Sequence, residues 1–197
     1  MLRRSVLALT IAATLATPAL AQETRRVRGA IETLDGSTLT VKTREGDDIR
    51  IALPEKPVFT AIVPATLADL KPGTYVGSGA MPGPDGSWVA MEVHIFPESM
   101  RGTGEGHRPM EGGNTMTNAN LETSVGAVDG QMLTLKYKDG EKKILVTPRT
   151  AIVAYAPGDR AELKPGIKVV ITAQKQADGS WMTPRVSYGR DGLTPPM

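Results

Sequence analysis

The stretches IETLDGSTLTVK at Ile31–Lys42 and VGAVDGQMLTLK at Val125–Lys136 have the same pattern of residues. They align at an offset of 94 residues, with the dipeptide Asp-Gly and the pair Leu-Thr in the same places. After the turn, apolar and polar residues alternate, which is typical of a strand with one face in the core and one in water. Asp and Gly tolerate the backbone of tight hairpin turns. The sequence therefore predicts the same β-hairpin twice.

The similarity continues further along the chain. ADLKPG at Ala68–Gly73 aligns with AELKPG at Ala161–Gly166, and DGSW at Asp85–Trp88 aligns with DGSW at Asp178–Trp181, both at an offset of 93 residues. An ordered series of matches indicates duplication, because repeated units keep the order and spacing of their motifs. We therefore expect two copies of one unit, each about 65 to 70 residues long.

Each copy is expected to form an antiparallel meander with one short helical turn, which ends at Lys-Pro-Gly because proline stops a helix. Five or six short strands suit a small closed barrel of the OB type, since closure removes exposed sheet edges. The predicted fold class is all-β, with two tandem small antiparallel β-barrels (OB-like) joined by a Gly-rich linker. A sandwich built jointly by both copies is the competing architecture.

The predicted boundaries follow from composition. We expect the first barrel over residues 22–97, a Gly/Met-rich linker over 98–120, the second barrel over 121–190 and a tail over 191–197. The linker contains no Val, Ile, Leu, Phe, Trp or Tyr. A segment of this length without regular structure is usually a tether or a functional loop.

Residues 1–21 are typical of a secretory signal peptide. Arg3 and Arg4 precede an apolar stretch, and Ala19-Leu20-Ala21 is a small-residue cleavage site before Gln22. We therefore expect an exported, periplasmic protein, and no later apolar run is long enough to span a membrane. The chain has no cysteine, so stability must come from hydrophobic burial and thiolate metal sites are excluded.

Charge and motifs exclude several functions. Without residues 1–21, which hold two Arg and no acid, 21 basic residues balance 21 acidic ones. A neutral chain with few aromatic residues does not predict nucleic-acid binding. The sequence has no His-Glu-x-x-His, Gly-x-Ser-x-Gly or Walker motif, and its two histidines are His94 and His107. We therefore expect no enzyme activity and no catalytic residues.

The signal peptide, the repeated Asp-Gly, Lys-Pro-Gly and Asp-Gly-Ser-Trp motifs, and the linker RGTGEGHRP at Arg101–Pro109 together suggest a family. The chain resembles a group of exported bacterial proteins with tandem small β-barrel domains of unknown function. A subgroup of these proteins is sometimes labelled a metal transport component. The resemblance covers most of residues 26–197 and implies a fold more than an activity.

A soft-metal site is the sharpest hypothesis from side-chain chemistry. Met100, His107, Met110 and Met116 share the linker, and thioether and imidazole groups are ligands that suit Cu(I). Small OB-type copper carriers bind through a His, two Met and a Trp, which makes Trp88, Met91 and His94 further candidates. Strand alternation, however, places Met91 on the face opposite Trp88 and His94. The alternative roles are a core filler for Met91 and a solvent-facing strand residue for His94.

Trp88 and Trp181 occupy equivalent places after a hairpin turn. An exposed indole can stack on a sugar or a peptide, but the same residue in both copies also fits closure of each barrel. The expected function is a non-enzymatic binding or envelope-interaction module, with a Cu(I)-type carrier and a glycan or peptide binder as alternatives. The expected partner is an envelope protein or a small ligand, and the expected state is a monomer or weak oligomer.

Overall fold

A computed structural model describes residues 23–83, 86–127 and 130–196. The all-β prediction is confirmed, because 59% of the described residues are in strands and no described helix reaches seven residues. Accordingly, none of the described helices has the length and apolar character needed to cross a membrane. The predicted signal peptide at residues 1–21 lies outside the described residues.

The described residues contain fourteen strands, which form one continuous hydrogen-bonded sheet. In the first copy they are β1 (Thr24–Asp35), β2 (Thr38–Thr43), β3 (Asp48–Ala52), β4 (Val58–Pro64), β5 (Tyr75–Pro82) and β6 (Trp88–Ile95). Strand β7 (Gly106–Pro109) follows. The remaining strands are β8 (Thr115–Ala127), β9 (Gly130–Tyr137), β10 (Gly140–Val146), β11 (Ala151–Pro157), β12 (Lys168–Lys175), β13 (Trp181–Met182) and β14 (Arg185–Gly189).

Each copy has the predicted short helical turn, as a single turn of 3-10 helix at Leu67–Asp69 and at Arg160–Glu162. The second turn is capped by Asp159, whose carboxylate accepts a 2.7 Å hydrogen bond from the Ala161 N–H. Side-chain capping of this kind satisfies N–H groups that a helix start leaves without partners. Further 3-10 turns occur at Glu98–Met100, Glu111–Gly113 and Arg190–Gly192.

One closed five-stranded barrel is formed by β8, β9, β10, β6 and β5, and β5 pairs back onto β8. All pairs are antiparallel except β10 with β6, which run parallel. Its interior is filled by alternate apolar residues of these strands. The fully buried members include Val76, Val93, Leu121, Leu133 and Leu135.

A second core lies among β1, β2, β3, β13 and β12, which are hydrogen-bonded in this order, with β12 also pairing with β1. The pairing of β3 with β13 is parallel, as is the pairing of β10 with β6 in the barrel. Buried apolar side chains again alternate along the strands. Val27, Ile31, Leu39, Ile51 and Ile171 belong to this core.

The two copies are interlaced. The barrel takes three strands from the second copy and two from the first, and the second core has the reverse composition. After β3, the chain continues into β4, which pairs with β11 and β14 of the other copy. This carries β5 away from β1 and onto β8. The prediction of one self-contained barrel for each copy is therefore not confirmed.

The segment predicted as a linker contains regular structure. Strand β7 and the start of β8 lie within residues 98–120, and β8 begins at Thr115. This part of β8 has no large aliphatic residue, yet Thr115, Thr117 and Asn118 are buried. Because residues 115–119 are buried on both faces and most of them are polar, apolar alternation could not predict the strand.

The first strands of the two copies align differently in the structure than in the sequence. Ile31 exchanges backbone hydrogen bonds with the chain at Gly166 and Ile167, and Leu121 does so at Gly73 and Thr74. Ile31 therefore corresponds to Leu121, at an offset of 90 residues, and not to Val125. Strand β8 continues six residues beyond Leu121, to Ala127, whereas β1 continues four residues beyond Ile31, to Asp35.

Candidate ligand-binding cleft

A cleft lies where strands of both cores meet. It consists of two neighbouring cavities of about 310 and 300 Å³. Its walls are the outer faces of strands whose inner faces fill the two cores, because successive side chains of a strand point to opposite sides. Both cavities are lined by Arg26, Tyr155, Thr172, Arg185 and Ser187.

One wall of the cleft is basic. Arg26 precedes the core residue Val27 on β1, and Arg185 precedes the core residue Val186 on β14, so both arginines point outward. Arg108 of β7 lines the larger cavity and donates a 2.9 Å hydrogen bond to the Gly104 carbonyl. Among the described residues, the Arg185 guanidinium has no hydrogen bond or ion pair.

A buried acid lies behind the cleft on β6. The side chain of Glu92 is fully buried, and neither carboxyl oxygen has a hydrogen-bond partner within the described residues. Burial raises the pKa of Glu92 to about 7, against the opposing effect of the nearby Arg26 and Arg28 guanidinium groups. The carboxyl group therefore changes protonation near neutral pH.

His94 lies between this acid and the cleft. It is 8% exposed, and its Nδ1 is 3.5 Å from Glu92 Oε1. Burial lowers the pKa of His94 to about 4, with repulsion from Arg26 and Arg108 adding to the effect. At neutral pH the imidazole is therefore uncharged, and its Nδ1 lies close to Glu92 Oε1 without a hydrogen bond between them.

Aromatic rings extend this wall. The His94 ring is 5.8 Å from Phe96 and 5.5 Å from Tyr155, and the Phe96 and Tyr155 rings are 5.2 Å apart. These separations are those of favourable aromatic pairs. Tyr155 lines both cavities and Phe96 lines the larger one, so this cluster gives the cleft an aromatic wall.

Gly77 makes room for His94. A Cβ atom at Gly77 would lie 2.5 Å from His94 Cδ2 and 2.7 Å from Asn118 Oδ1. Since real Cβ atoms do not approach other atoms this closely, a larger residue would displace one of these side chains. Asn118 is 5% exposed, and its Oδ1 has no hydrogen-bond partner in the described part of the chain.

His94 lies on the outer face of β6, opposite the core residue Val93, but Phe96 and Tyr155 pack against its ring and bury it. The expectation of a solvent-facing His94 is therefore wrong. A β-bulge precedes it, because Gly79 pairs with Glu92 and Ala80 pairs with Ala90, which leaves Met91 as an extra residue on β6. The bulge moves Ala90 and the partly buried Trp88 to the core side, where uninterrupted alternation predicts outward-facing residues.

The predicted metal ligands of the linker do not all meet. Met100 and Met116 line the larger cavity together with His94. His107 lies on the other face of the β7–β8 hairpin, where its Nδ1 is 2.8 Å from Thr117 Oγ1. Met110 lies at the end of this hairpin, and its N–H donates a 2.7 Å hydrogen bond to the Asn114 carbonyl. The structure thus places two of the predicted methionines beside a different histidine.

His107 is held among aromatic rings. Its ring lies 6.1 Å from Trp88 in an edge contact and 6.5 Å from Tyr137 in a stacked one. Burial lowers the pKa of His107, with a further contribution from Lys142. In the described part of the chain, no three His, Asp or Glu side chains are grouped so that they could hold a metal ion.

The two predicted stacking residues lie outside the cleft. Trp88 packs against the core of the barrel, and Trp181 packs against the second core with Lys175 Nζ 5.9 Å from its ring centroid. Neither indole lines either cavity. This packing favours a structural role for each indole over stacking on a ligand.

The two copies differ in chemistry at several positions in and beside the cleft. The offset of 93 residues that aligns Trp88 with Trp181 also aligns Glu92 with Arg185 and His94 with Ser187. On the first strands, the offset of 90 residues aligns Arg26 with Met116 and Arg28 with Asn118. Equivalent strands face the same packing problem. Different chemistry at these positions therefore indicates a role beyond packing.

Sequence reasoning missed the arginines and Glu92. The acid was visible as the one charged residue in the otherwise apolar strand WVAMEVHI at Trp88–Ile95. Arg26 and Arg185 had no distinguishing signal, because an outward-facing arginine on a strand is ordinary.

No protein-family model, curated protein or solved structure matches this chain.

Proposed function

We propose that this protein is a non-enzymatic, exported binding protein that holds a small ligand in the cleft between its interlaced copies. The observation that carries the proposal is the divergence of the two copies at the cleft. One copy supplies Arg185 where the other supplies Glu92, although both keep the same tryptophan a few residues earlier. The periplasmic location rests on the signal-peptide pattern of residues 1–21.

The composition of the cleft supports binding without catalysis. His94 is the histidine that lines it, and the group facing its Nδ1 is a carboxyl group and not a nucleophile. No hydroxyl group of the described residues is hydrogen-bonded to the His94 ring. An activated serine or threonine needs such a base within hydrogen-bonding distance.

Strand order supports the finer description of the fold. We infer that both cores are OB-type barrels, each made of a three-stranded meander of one copy closed by returning strands of the other. The parallel pairs, β10 with β6 and β3 with β13, are where the returning strands join the meanders. Small Greek-key barrels of this type commonly bind ligands on their surfaces.

The proposal is tested with a library of small metabolites that contains equal numbers of anionic, cationic and neutral compounds. Ser187 lines both cavities, so Ser187→Phe fills the cleft. Ser37→Phe at an exposed turn is the matched control. We expect some compounds to raise the melting temperature of the wild type and of the control but not of Ser187→Phe. A library without any such compound would refute a ligand-binding cleft.

A soft-metal site is the second candidate, favoured by the grouping of His94, Met100 and Met116 around one cavity. A metal-bound histidine usually donates its other ring N–H to a carboxylate, and Glu92 lies on the Nδ1 side of His94. Imidazole and thioether ligands suit Cu(I). This candidate is second because the three arginines of the cleft repel a cation.

Anaerobic competition titration of Cu(I) against a chromophoric chelator tests the metal site. If Cu(I) binds in the cleft, His94→Ala and Met116→Leu weaken binding while His107→Ala does not. Weakening by His107→Ala and Met116→Leu, but not by His94→Ala, would support the linker ligands His107, Met110, Met100 and Met116 instead. If the wild type does not compete with the chelator, both metal hypotheses fail.

A further inference from the structure

We propose that the ligand of the cleft is a small oxyanion, a carboxylate or a phosphate monoester, attached to a flat apolar body. In this proposal the anionic group binds to Arg26 and Arg185, and the body lies against Tyr155. The inference rests on the proposed function and adds the chemical class of the ligand.

The balance of charge in the cleft selects an anion. Arg26, Arg108 and Arg185 line the two cavities, and no Asp or Glu does so in the part of the chain that the structure describes. A guanidinium group offers paired N–H donors that match the two oxygens of a carboxylate or phosphate. Because the Arg185 guanidinium has no partner among the described residues, its donors are available to a ligand.

Hydroxyl groups surround the same position. Thr172 on β12 and Ser187 on β14 line both cavities, and Thr60 on β4 lines the larger one. A hydroxyl group can donate a hydrogen bond to an anion without adding charge. The strands hold these donors on a rigid surface beside the arginines, which favours recognition of an oxyanion over a diffuse attraction for any negative charge.

The aromatic cluster of His94, Phe96 and Tyr155 favours a ligand whose body is flat and apolar. Tyr155 lines both cavities, and the rings of His94 and Phe96 pack against it at centroid distances of 5.5 and 5.2 Å. Aromatic faces bind other flat apolar groups by offset stacking or edge contacts. The cavities of about 310 and 300 Å³ suit a small molecule, since typical sites begin at about 300 Å³.

Isothermal titration calorimetry with matched probe pairs tests the inference. The anionic probes are benzoate, 4-hydroxybenzoate and phenyl phosphate, and the neutral controls are benzamide, 4-hydroxybenzamide and phenol. We expect at least one anion to bind, and to bind more tightly than its neutral counterpart. Preference for benzoate or for phenyl phosphate distinguishes a carboxylate from a phosphate ligand.

Arginine variants identify where the anion binds. Removing a charged hydrogen-bond donor typically weakens binding by about 10- to 100-fold, so we expect a loss of that size for Arg185→Gln. Arg50→Gln, at an exposed position of β3, is the matched control and should bind like the wild type. Equal loss in both variants, or no loss in Arg185→Gln, would overturn the assignment.

The two proposals fail in different ways. If neutral or cationic library compounds bind in a manner that Ser187→Phe abolishes, while the anionic probes do not bind, the cleft is a ligand site and the oxyanion assignment is wrong. If no compound of any charge depends on the cleft, the proposed function itself is wrong.

Discussion

Glu92 and His94 are a buried acid and base whose protonation is controlled by the protein interior. Removing either group from water disfavours its charged form, so the pKa of Glu92 rises to about 7 and that of His94 falls to about 4. Both side chains can therefore be neutral in slightly acidic solution. The arginines that line the cleft are then its main fixed charges, which is the condition that favours an anionic ligand.

Glu92→Gln should change how stability depends on pH. A carboxyl group with a raised pKa binds its proton more tightly in the folded protein than in the unfolded chain. Its contribution to stability is therefore complete below the ordinary pKa of 4.5 and is lost as the pH rises to about 7. The loss is about 3 kcal/mol, and the glutamine variant should not show it.

Urea denaturation at pH 4.5 and at about pH 8 gives the change in the free energy of unfolding with pH, for the wild type and for Glu92→Gln. The change in the wild type minus the change in the variant is the contribution of Glu92. The burial of neutral His94 has the opposite effect, because its contribution to the stability of the protein is lost as the pH falls. Since both proteins contain His94, this contribution largely cancels when they are compared. Glu141→Gln, at an exposed position of β10, is the control. Parallel pH profiles for the wild type and Glu92→Gln would contradict the burial of an unpartnered carboxyl group.

Gly77→Ala should destabilise the protein and disturb the cleft. The new methyl group would meet the His94 ring and the Asn118 side chain, and overpacking of this kind costs about 1 to 3 kcal/mol. Gly126→Ala is a matched control, since nothing lies within 4 Å of the corresponding position. Urea denaturation measures the stability, and the NMR signals of the His94 ring report its displacement. Equal effects of the two substitutions would show that Gly77 is not a close-packed position.

At the level of strands, alternation predicts most of the two cores but not the faces that form the cleft. Leu39, Val41, Leu133 and Leu135 are buried as their alternation predicts. On β6 the pattern fails, because a bulge at Met91 reverses the faces of the strand halfway along. On β8 it fails because residues 115–119 are buried on both faces and three of the five are polar. Neither event leaves a mark in the hydrophobic pattern, so His94, Met116 and Asn118 could not be grouped from sequence.

Arg101 attaches the segment that carries Met100 and Thr103 to the cleft, and the Tyr75 hydroxyl and Asn118 Nδ2 add hydrogen bonds to the Thr103 carbonyl. Arg101 donates hydrogen bonds to both carboxyl oxygens of Glu98, at 2.6 and 2.7 Å, and one of 2.9 Å to the Gly73 carbonyl. It also donates to Asn120 Oδ1. These contacts attach the 3-10 turn at Glu98–Met100 to the start of β5 and to β8.

Arg101→Gln should release this segment without unfolding the protein. We expect amide exchange of residues 98–105 to accelerate by about tenfold or more, while the urea midpoint stays close to that of the wild type, because local openings are independent of global unfolding. Arg149→Gln, at an exposed loop position, is the control. Unchanged exchange in residues 98–105 would show that other contacts hold the segment.

At the scale of the whole molecule, duplication was visible in the sequence but interlacing was not. Motifs such as Lys-Pro-Gly and Asp-Gly-Ser-Trp define where each copy turns, and they are compatible with pairing to strands of either copy. Which copy supplies the pairing partner depends on the path of the chain through β4. Strand β4 is an ordinary apolar strand, so its sequence does not predict that path. The cleft exists because of this choice, since Arg26 and Arg185 reach it from opposite copies.

Cysteine pairs test the interlaced pairing, because the natural chain contains no cysteine. Thr24 of β1 is the cross-strand partner of Gln174 in the other copy. Met81 occupies in the first copy the position that Gln174 occupies in the second, at the offset of 93 residues. If each copy folded by itself, Thr24 would therefore face Met81. Cross-strand neighbours are close enough for a disulfide, which forms only between Cα atoms less than about 7 Å apart.

The decisive measurement is mass spectrometry of the full chain after mild oxidation, with the variants Thr24→Cys/Gln174→Cys and Thr24→Cys/Met81→Cys compared side by side. The interlaced structure predicts an intramolecular disulfide in the first variant and free thiols in the second. A disulfide in the Thr24→Cys/Met81→Cys variant, with free thiols in the other, would show two separate barrels and would contradict the cleft on which the proposed function depends.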